Sequence, residues 1–579
     1  VKSEIQKIFK GEVMDDGDTL TKYSRDASLL LVRPQVVVYP KDKEDVKNLV
    51  RWVNENKSKY PDLSITARCA GTCMSGGAIG ESIIMDFSKY MNRLVGGPLP
   101  LHDLEGKNTS YGAGKTGWEI TVEPGMFYRD FEKLTLAKGL ILPCFTASKS
   151  LNAMGGMYGN NSAGERTLKY GKTEDYVLRA KVVFSDGNEY VVKPLSKAEL
   201  DKKIEQNNGE GELYRSIYNL IRENKIELTQ AKPKVHKNSA GYYLWNVAKD
   251  DNFSSPDFFD LNKLLVGSQG TLGIVTEITF KIIPEQKYSK LVAIFMNDME
   301  PLGRLVDEIL TQNPETLESY DDKTMKLAVR FFFDFLKNKG LIGMIKFMFS
   351  FLPEAFLMLT GGFPKLIVLA EFAGFGEEEV NKKCLALVNK IKPFNLKTHI
   401  TKNQTESNKY WDIRRESFAL LRKHVKGKHT APFIDDIIVR PEFLPKFLPE
   451  LNKILSNYDI TFTLAGHAGE GNFHIIPLMD FKRADTAKIV MELGEKVYDL
   501  VAKYHGSITA EHNDGLIRTP YLYKMYEPHI LSIFSQIKKI FDPKNILNPG
   551  KKVPTNDGVG TKDYLAKHVA REHTAVHRV

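Results

Sequence analysis

The chain has 579 residues, 42% hydrophobic and 26% charged, which is globular composition for three or four domain-sized units and excludes a disordered or fibrous chain. Its net charge of +9 is small for this length; it serves solubility and suits anionic substrates or membrane surfaces, and no basic stretch interleaved with stacking aromatics points to nucleic acid. Four cysteines (Cys69, Cys73, Cys144 and Cys384), with no CxxC among them, exclude a disulfide scaffold and a bound iron–sulfur cluster, which takes four thiolates in recognisable runs.

The N-terminal stretch VKSEIQKIFKGEVMDDGD has no apolar signal core, so the cytoplasm is the expected location; a chain that begins with Val is expected to be trimmed or partial. From Val36 to Met85 the pattern reads strand, helix, strand, loop, strand. VVVYP is β-branched, Val46, Leu49, Val50 and Val53 recur at helical spacing, and LSITAR and SIIMDF flank the loop CAGTCMSGGAIG. WEITVEPG reads as a strand and YRDFEKLTLAKG as a helix closed by Gly139. Alternating helices and strands continue to about residue 285. Between 290 and 520, KLIVLAEF and TFTLAG alternate with helices such as EEEVNKKCLALVNKIK, which predicts a second α+β domain. HILSIFSQIKKIFDPKNILNPGKK predicts a helix ending in a Pro/Gly turn, and the tail from Val553 is expected to be polar and loose. Arg330 to Lys365 is rich in Phe, Leu and Met, but Pro353 and Glu354 interrupt it below the roughly 18 apolar residues of a membrane span. Two readings stay open: a buried helical pair, or a peripheral membrane patch with Lys337, Lys339 and Lys346 at the headgroups on the cytoplasmic face.

Three Gly-rich loops fall in the first half. In RCAGTCMSGGA, Arg68 to Ala78, small residues between two strands expose successive N–H groups as an anion nest, and Thr72 and Ser75 add hydroxyls; a pyrophosphate fits. NAMGGMYGNNSAG begins at Asn152, and LLVGSQGTLGIVTEITF begins at Leu264. Together they suit a wrap around one extended, phosphate-bearing cofactor. GAGKTG is a decoy, because a P-loop needs glycine where Thr109 stands, and no GxGxxG follows a strand.

GHAGEGNFH, Gly466 to His474, places two histidines seven apart. On a helix they would be two turns apart, roughly 10 Å, too far for one ion. On a straight strand they would face opposite sides. With strand-like flanks, Gly469 and Gly471 allow the chain to fold back and bring the imidazoles together; a third ligand, a carboxylate, is expected from elsewhere.

These motifs, with LKYGKTEDYV and AEHNDG, jointly resemble the flavin-linked oxidases of the vanillyl-alcohol-oxidase type, and within them the D-lactate, glycolate and D-2-hydroxyglutarate dehydrogenases. The similarity runs from YSRDAS at Tyr23 to DPKNILNPGK at Asp542. It implies an α+β fold: a PCMH-type FAD-binding domain of two α/β subdomains over 1–285, and a cap with an antiparallel sheet, the FAD-linked oxidase C-terminal type, over 286–520. A segment over 521–552 returns to the flavin, and 553–579 is the polar tail.

The same resemblance implies that Arg68, Ala70, Gly71, Thr72, Cys73, Ser75, Gly76, Gly77 and Ala78 cradle the FAD diphosphate. Gly155, Gly156, Asn161 and Gly164 would line the flavin and ribityl side, and Gly267, Gly270, Ile274 and Thr276 the adenosine half. Asn548 would approach the isoalloxazine ring. It supplies Glu511 as the third ligand beside His467 and His474 for a divalent metal, zinc or manganese, with His512 as general base and Arg414 pairing with the substrate carboxylate. The implied activity is hydride transfer from a D-2-hydroxy acid to flavin N5. Cys69 and Cys73 replace the family's usual Gly, Ala or Ser, and the absence of histidine from that loop makes the flavin non-covalent. Asn513 stands where relatives often have Gly. Ile476 replaces a polar residue that helps grip diacids in one branch, which favours lactate or glycolate. Electrons are expected to leave for quinone, a separate iron–sulfur subunit or a soluble carrier. Two other classes stand beside this one: a non-redox flavoenzyme of the alkylglycerone-phosphate synthase type, and a catalytically silent FAD-binding subunit of a multi-chain oxidase.

Overall fold

The computed structural model describes residues 1–101, 117–249, 258–330, 364–424 and 427–571. The chain begins with a four-stranded sheet in the order Glu12–Met14, Val36–Tyr39, Ile83–Asp86, Ile65–Arg68, whose last three strands run parallel. Parallel strands need a crossover, and Lys43–Asn56 supplies it. Asp42 caps that helix by accepting from the N–H groups of Glu44 and Asp45. Val46, Leu49, Val50 and Val53 lie on one helical face and pack with Val36, Val38, Ile65, Ile83 and Met85 into one core.

A second sheet runs Leu94–Pro100, Trp118–Val122, Ile274–Pro284, Val177–Val183, Glu189–Val192. Val183 and Ile274 of this sheet join the core of the first, so the two sheets share an interior. The loop that follows Arg68, the helix Met154–Asn160 with its turn to Gly164, and the turn at Gly267–Gly273 open from these elements.

After three residues the chain enters a third, wholly antiparallel sheet: Lys397–Ile400, Tyr288–Met296, Leu366–Gly374, Thr316–Asp321, Leu464–His467, Asn472–Ile475, Ile437–Ile438. Leu366–Gly374 is buried at every position, because both faces are covered. Tyr410, Trp411 and Ile413 pack against Leu291, Ile367 and Leu369 on one face. Leu302, Leu305, Val306, Val380 and Leu387 share a core with Val292, Ile294 and Val368 on the other. Continuous apolar runs replace alternation where a strand has no solvent side.

The chain then returns to the first sheet. Leu547 pairs with Ile65 in a parallel bridge, and Ile546 and Leu547 enter its core. The expected loose tail is docked as far as residue 571. Thr561 caps the helix Lys562–His568, Leu565, Val569 and Ala570 are buried, and Lys562 reaches Glu495 at 2.6 Å. A few apolar residues spaced along a polar stretch are enough to seat it. The apolar stretch Arg330–Lys365 falls on 331–363, outside the described residues. Among the described residues no helix is long and apolar enough to cross a membrane.

Candidate active site

Leu464–His467 and Asn472–Ile475 form a hairpin, with His467 opposite Asn472 and His474 opposite Ala465. His467 and Ala465 share a strand face, so His474, opposite Ala465, lies diagonally from His467 on that same face. Gly471 closes the turn at φ +75°, where a Cβ would come within 1.8 Å of the Val439 carbonyl oxygen. Gly469 is required for space instead: its Cβ would lie 2.9 Å from that of Leu317.

The two Nε2 atoms lie 3.3 Å apart, and Glu511 Oε1 is 3.1 Å from His467 Nε2. Ligands about 2.0–2.1 Å from one tetrahedral ion are separated by about 3.3 Å. Each Nδ1 is turned to its own carboxylate, His467 to Glu318 at 2.5 Å and His474 to Asp435 at 3.1 Å. With Nδ1–H donated, the Nε2 lone pairs converge, as in carboxylate–histidine–metal arrangements. Burial alone would push the His467 imidazole down, but Glu318 outweighs it and lifts it to about 9. Glu318, Asp435, Asp436, Glu470 and Glu511 are buried carboxylates gathered around the cations Lys237, Arg414 and Arg518.

Asp435 and Asp436 lead into the edge strand Ile437–Ile438, which pairs with the histidine hairpin and, through Ile438, with Ser507. Asp436 takes φ +69°, a conformation aspartate tolerates better than most residues. Its Oδ2 accepts from the N–H groups of Ala510, Glu511 and His512 at 2.9, 2.8 and 2.7 Å and from the Thr509 hydroxyl at 2.7 Å. Its Oδ1 accepts from Asn472 at 3.1 Å. One carboxylate thus holds both the hairpin of His467 and His474 and the segment of Glu511. Asp435 Oδ2 accepts from His512 Nδ1 at 2.6 Å. Burial would lower the His512 imidazole, yet Asp435 and Asp436 raise it to about 9. Asp435, held between two imidazoles, lies well below the usual carboxylate range despite its burial.

Arg414 is committed to Glu318 at 2.5 Å, and its buried Nε meets no acceptor among the described residues. Its neighbour Arg415 turns away to Glu165. Lys237, which the sequence reading missed, bonds Glu511 at 2.5 Å and also pairs with Glu470. Glu511 is held well below its ordinary value, against its burial, by Lys237 and His467.

The Gly-rich loops converge beside this site. Asn513 donates to the carbonyls of Asn160 and Gly267 at 3.2 and 2.8 Å. Ser75 donates to the His512 carbonyl at 3.2 Å and accepts the N–H groups of Leu516 and Ile517. Gly77 has Gln269 against it: a Cβ there would lie 2.4 Å from Gln269 Nε2, while Gly155 leaves room for Pro124 and Cys69. Asn161 ends the helix Met154–Asn160 at φ 52° and accepts from Glu174 N–H at 3.0 Å. Gly164 packs on the Phe145 carbonyl, and Gly76, Gly267 and Gly270 take φ of +80°, +88° and +70°.

Some expected contacts are spent on the protein. Arg68 donates to the carbonyls of Arg25 and Ala78 at 2.8 and 3.1 Å. Asn548 donates to those of Gly77 and Gln269 at 3.0 and 2.6 Å and accepts from Thr66, so its amide clamps two loops. Ile274 is in the core, and Thr276 donates to Glu189 at 2.6 Å. The nest itself fits a diphosphate. Gly71 sits at φ +68°, the N–H groups of Ala70, Gly71 and Thr72 meet no acceptor among the described residues, and a Cβ on Gly156 would meet nothing within 4 Å.

Residues 34–193 match the FAD binding domain family, and residues 285–552 match the family "FAD linked oxidases, C-terminal domain". D-2-hydroxyglutarate dehydrogenase of Escherichia coli (strain K12) is 25% identical over 93% of this chain and 50% of its own length. The chain therefore spans about half the length of that relative. Glycolate oxidase subunit GlcD of Bacillus subtilis (strain 168) is 25% identical over 95% of this chain and 96% of its own. The solved structure of p-cresol methylhydroxylase with substrate bound superposes with a TM-score of 0.62 at 14% identity, over 94% of each chain.

Proposed function

We propose, from the premise that this chain belongs to the family of FAD-linked oxidases, that it oxidises a small D-2-hydroxy acid to the 2-oxo acid. The observation that carries this reading is the paired Nε2 geometry of His467 and His474 beside Glu511, next to a loop nest suited to a diphosphate. Bound FAD supplies the hydride acceptor. A divalent cation, zinc or manganese, would be held by His467, His474 and Glu511, and supplies a Lewis acid for hydroxyl and carboxylate oxygens.

The chain's own groups do the rest. His512, with Nδ1–H donated to Asp435, leaves Nε2 to take the hydroxyl proton. A cation next door lowers the raised basicity of this ring toward a useful range. Arg414 offers its unpartnered Nε to the substrate carboxylate while Glu318 holds its other end. Ile476, half-buried two residues past His474, gives a second carboxylate no donor, which favours lactate or glycolate over a diacid. All four cysteines are free thiols and three are buried, so electrons pass to a partner: quinone, an iron–sulfur subunit or a soluble carrier. The subunit named in the Bacillus relative supports a protein partner. The assembled ligand set weighs against a catalytically silent subunit.

The test is anaerobic addition of D- and L-lactate, glycolate and D-2-hydroxyglutarate to the flavin-loaded protein, repeated with EDTA and with His474→Ala. Bleaching of the flavin by one D-acid or glycolate, lost in both controls, is the expected result. A flavin that no acid bleaches refutes the dehydrogenase and leaves the non-redox flavoenzyme or the catalytically silent subunit.

A further inference from the structure

The geometry points to Asp435 as a positioning residue that fixes the tautomers of two imidazoles with different tasks, the metal ligand His474 and the proton acceptor His512. The inference rests on the functional reading above. The two carboxylate oxygens are divided between the rings: Oδ1 lies 3.1 Å from His474 Nδ1 and Oδ2 lies 2.6 Å from His512 Nδ1. The rings stand 5.1 Å apart, 26° from parallel. A carboxylate only accepts, so both Nδ1 atoms carry hydrogen, and each ring when neutral presents its lone pair at Nε2. For His474 that lone pair faces His467 Nε2, 3.3 Å away.

The clamp is itself held. Asp435 is fully buried, its carbonyl accepts from Arg518 Nη2 at 2.6 Å, and Asp436 next to it holds the His512 N–H at 2.7 Å. The carboxylate therefore cannot turn to water. Asp435, His474 and His512 also lie close enough to be read as a second set of metal-type ligands. Both of their separations are hydrogen-bond lengths, however, and a metal there would need His474 to ligate through both nitrogens. The proton reading explains both distances without that demand.

Asp435→Asn separates the roles. An amide offers one acceptor and one donor, so only one ring can keep Nδ1–H. The shorter bond keeps the oxygen on His512; the amide NH2 then faces His474 and moves its hydrogen to Nε2. In the flavin-loaded variant, binding of Mn²⁺ or Zn²⁺ is expected to weaken about 10- to 100-fold with flavin content unchanged. Reduction by hydroxy acid at saturating metal is expected to stay below wild type, because His512 has lost its charged partner. His512→Ala should lose reduction at saturating metal with metal binding kept, whereas His474→Ala should lose metal binding and reduction together. The tautomers are read directly by NMR of histidine-labelled, metal-free wild-type protein, with His474 and His512 assigned by those two alanine variants. Nδ1–H on both rings is expected; a neutral ring with its hydrogen on Nε2 and none on Nδ1 overturns the proposal, and this readout stands even if Asp435→Asn fails to hold flavin. Full recovery of rate by added metal in Asp435→Asn overturns it too, since Asp435 would then serve His474 alone. The tautomers need no substrate, so they fail or hold independently of the dehydrogenase reading, which wild-type flavin reduction decides.

Discussion

Asp436→Asn offers a quantitative test of how the segment 509–512 is held. In the wild type one oxygen accepts three backbone N–H groups and a hydroxyl, at 2.7–2.9 Å. Hydrogen bonds to a charged group contribute about 1.5–3 kcal/mol each, against about 0.5–1.5 for neutral pairs. Asparagine keeps an oxygen in that place, so each of the three N–H bonds survives but loses about 1 kcal/mol. Its NH2 must then face the NH2 of Asn472, which now donates to the other carboxylate oxygen at 3.1 Å. Local opening should become easier by about 3 kcal/mol, which is roughly 100- to 200-fold in an equilibrium constant. Hydrogen exchange followed by mass spectrometry on the peptide containing Ala510, Glu511 and His512 reads this directly, because exchange tracks local opening. A change below about fivefold would refute the reasoning and leave Asn513 and Arg518 as the holders of the segment.

Gly471→Ala meets both a left-handed φ of +75° and the Val439 carbonyl at 1.8 Å, so the hairpin must move; bound-metal stoichiometry should fall well below that of the wild type, while the flavin spectrum is retained. Gly77→Ala keeps an ordinary backbone but crowds Gln269, and gel filtration should show loss of flavin absorbance from the protein peak. Glu495 is tied to Lys562 and Tyr523 at 2.6 and 2.8 Å and also to Lys524; these outweigh its burial and hold its carboxyl down at about 2. Its folded value is depressed, so its contribution is complete above about pH 4.5 and is lost as pH falls toward about 2. The melting temperature of Glu495→Gln should therefore lie below wild type at pH 7 by a small margin, and the gap should close as the pH is lowered through that window.

The histidine hairpin was legible because its signal is local: apolar flanks, glycines at a turn and an odd spacing that a straight strand cannot satisfy. The helix Lys43–Asn56 was legible for the same reason, from Val46, Leu49, Val50 and Val53 on one face. What the sequence hid was the set of groups that orient the histidines. Glu318 stands 149 residues from His467 and Lys237 stands 274 from Glu511, and nothing near either predicts its partner. Asp435 and Asp436 did leave a trace, as two acids inside the apolar run PFIDDIIV, where burial demands a specific partner. Arg414 and Arg415 could not be told apart by type; adjacent helical positions diverge by about 100°, and the fold sends one to Glu318 and the other to Glu165. The glycines of the nest were readable as small residues, but not the Gln269 and Asn548 side chains that tie those loops together.

That tie has a consequence in the order of synthesis. Asn548 joins the carbonyls of Gly77 and Gln269, and Leu547 covers the outer edge of the first sheet at Ile65. The loops suited to the diphosphate are made early on the ribosome, but their clamp emerges some 280 to 470 residues later, after the whole cap. A nascent chain released before that point carries the nest and the histidine hairpin without the residue that locks the loops in place. A chain cut short of Asn548 is therefore expected to hold both loops less firmly than the full chain, even though every glycine of the nest is already in place.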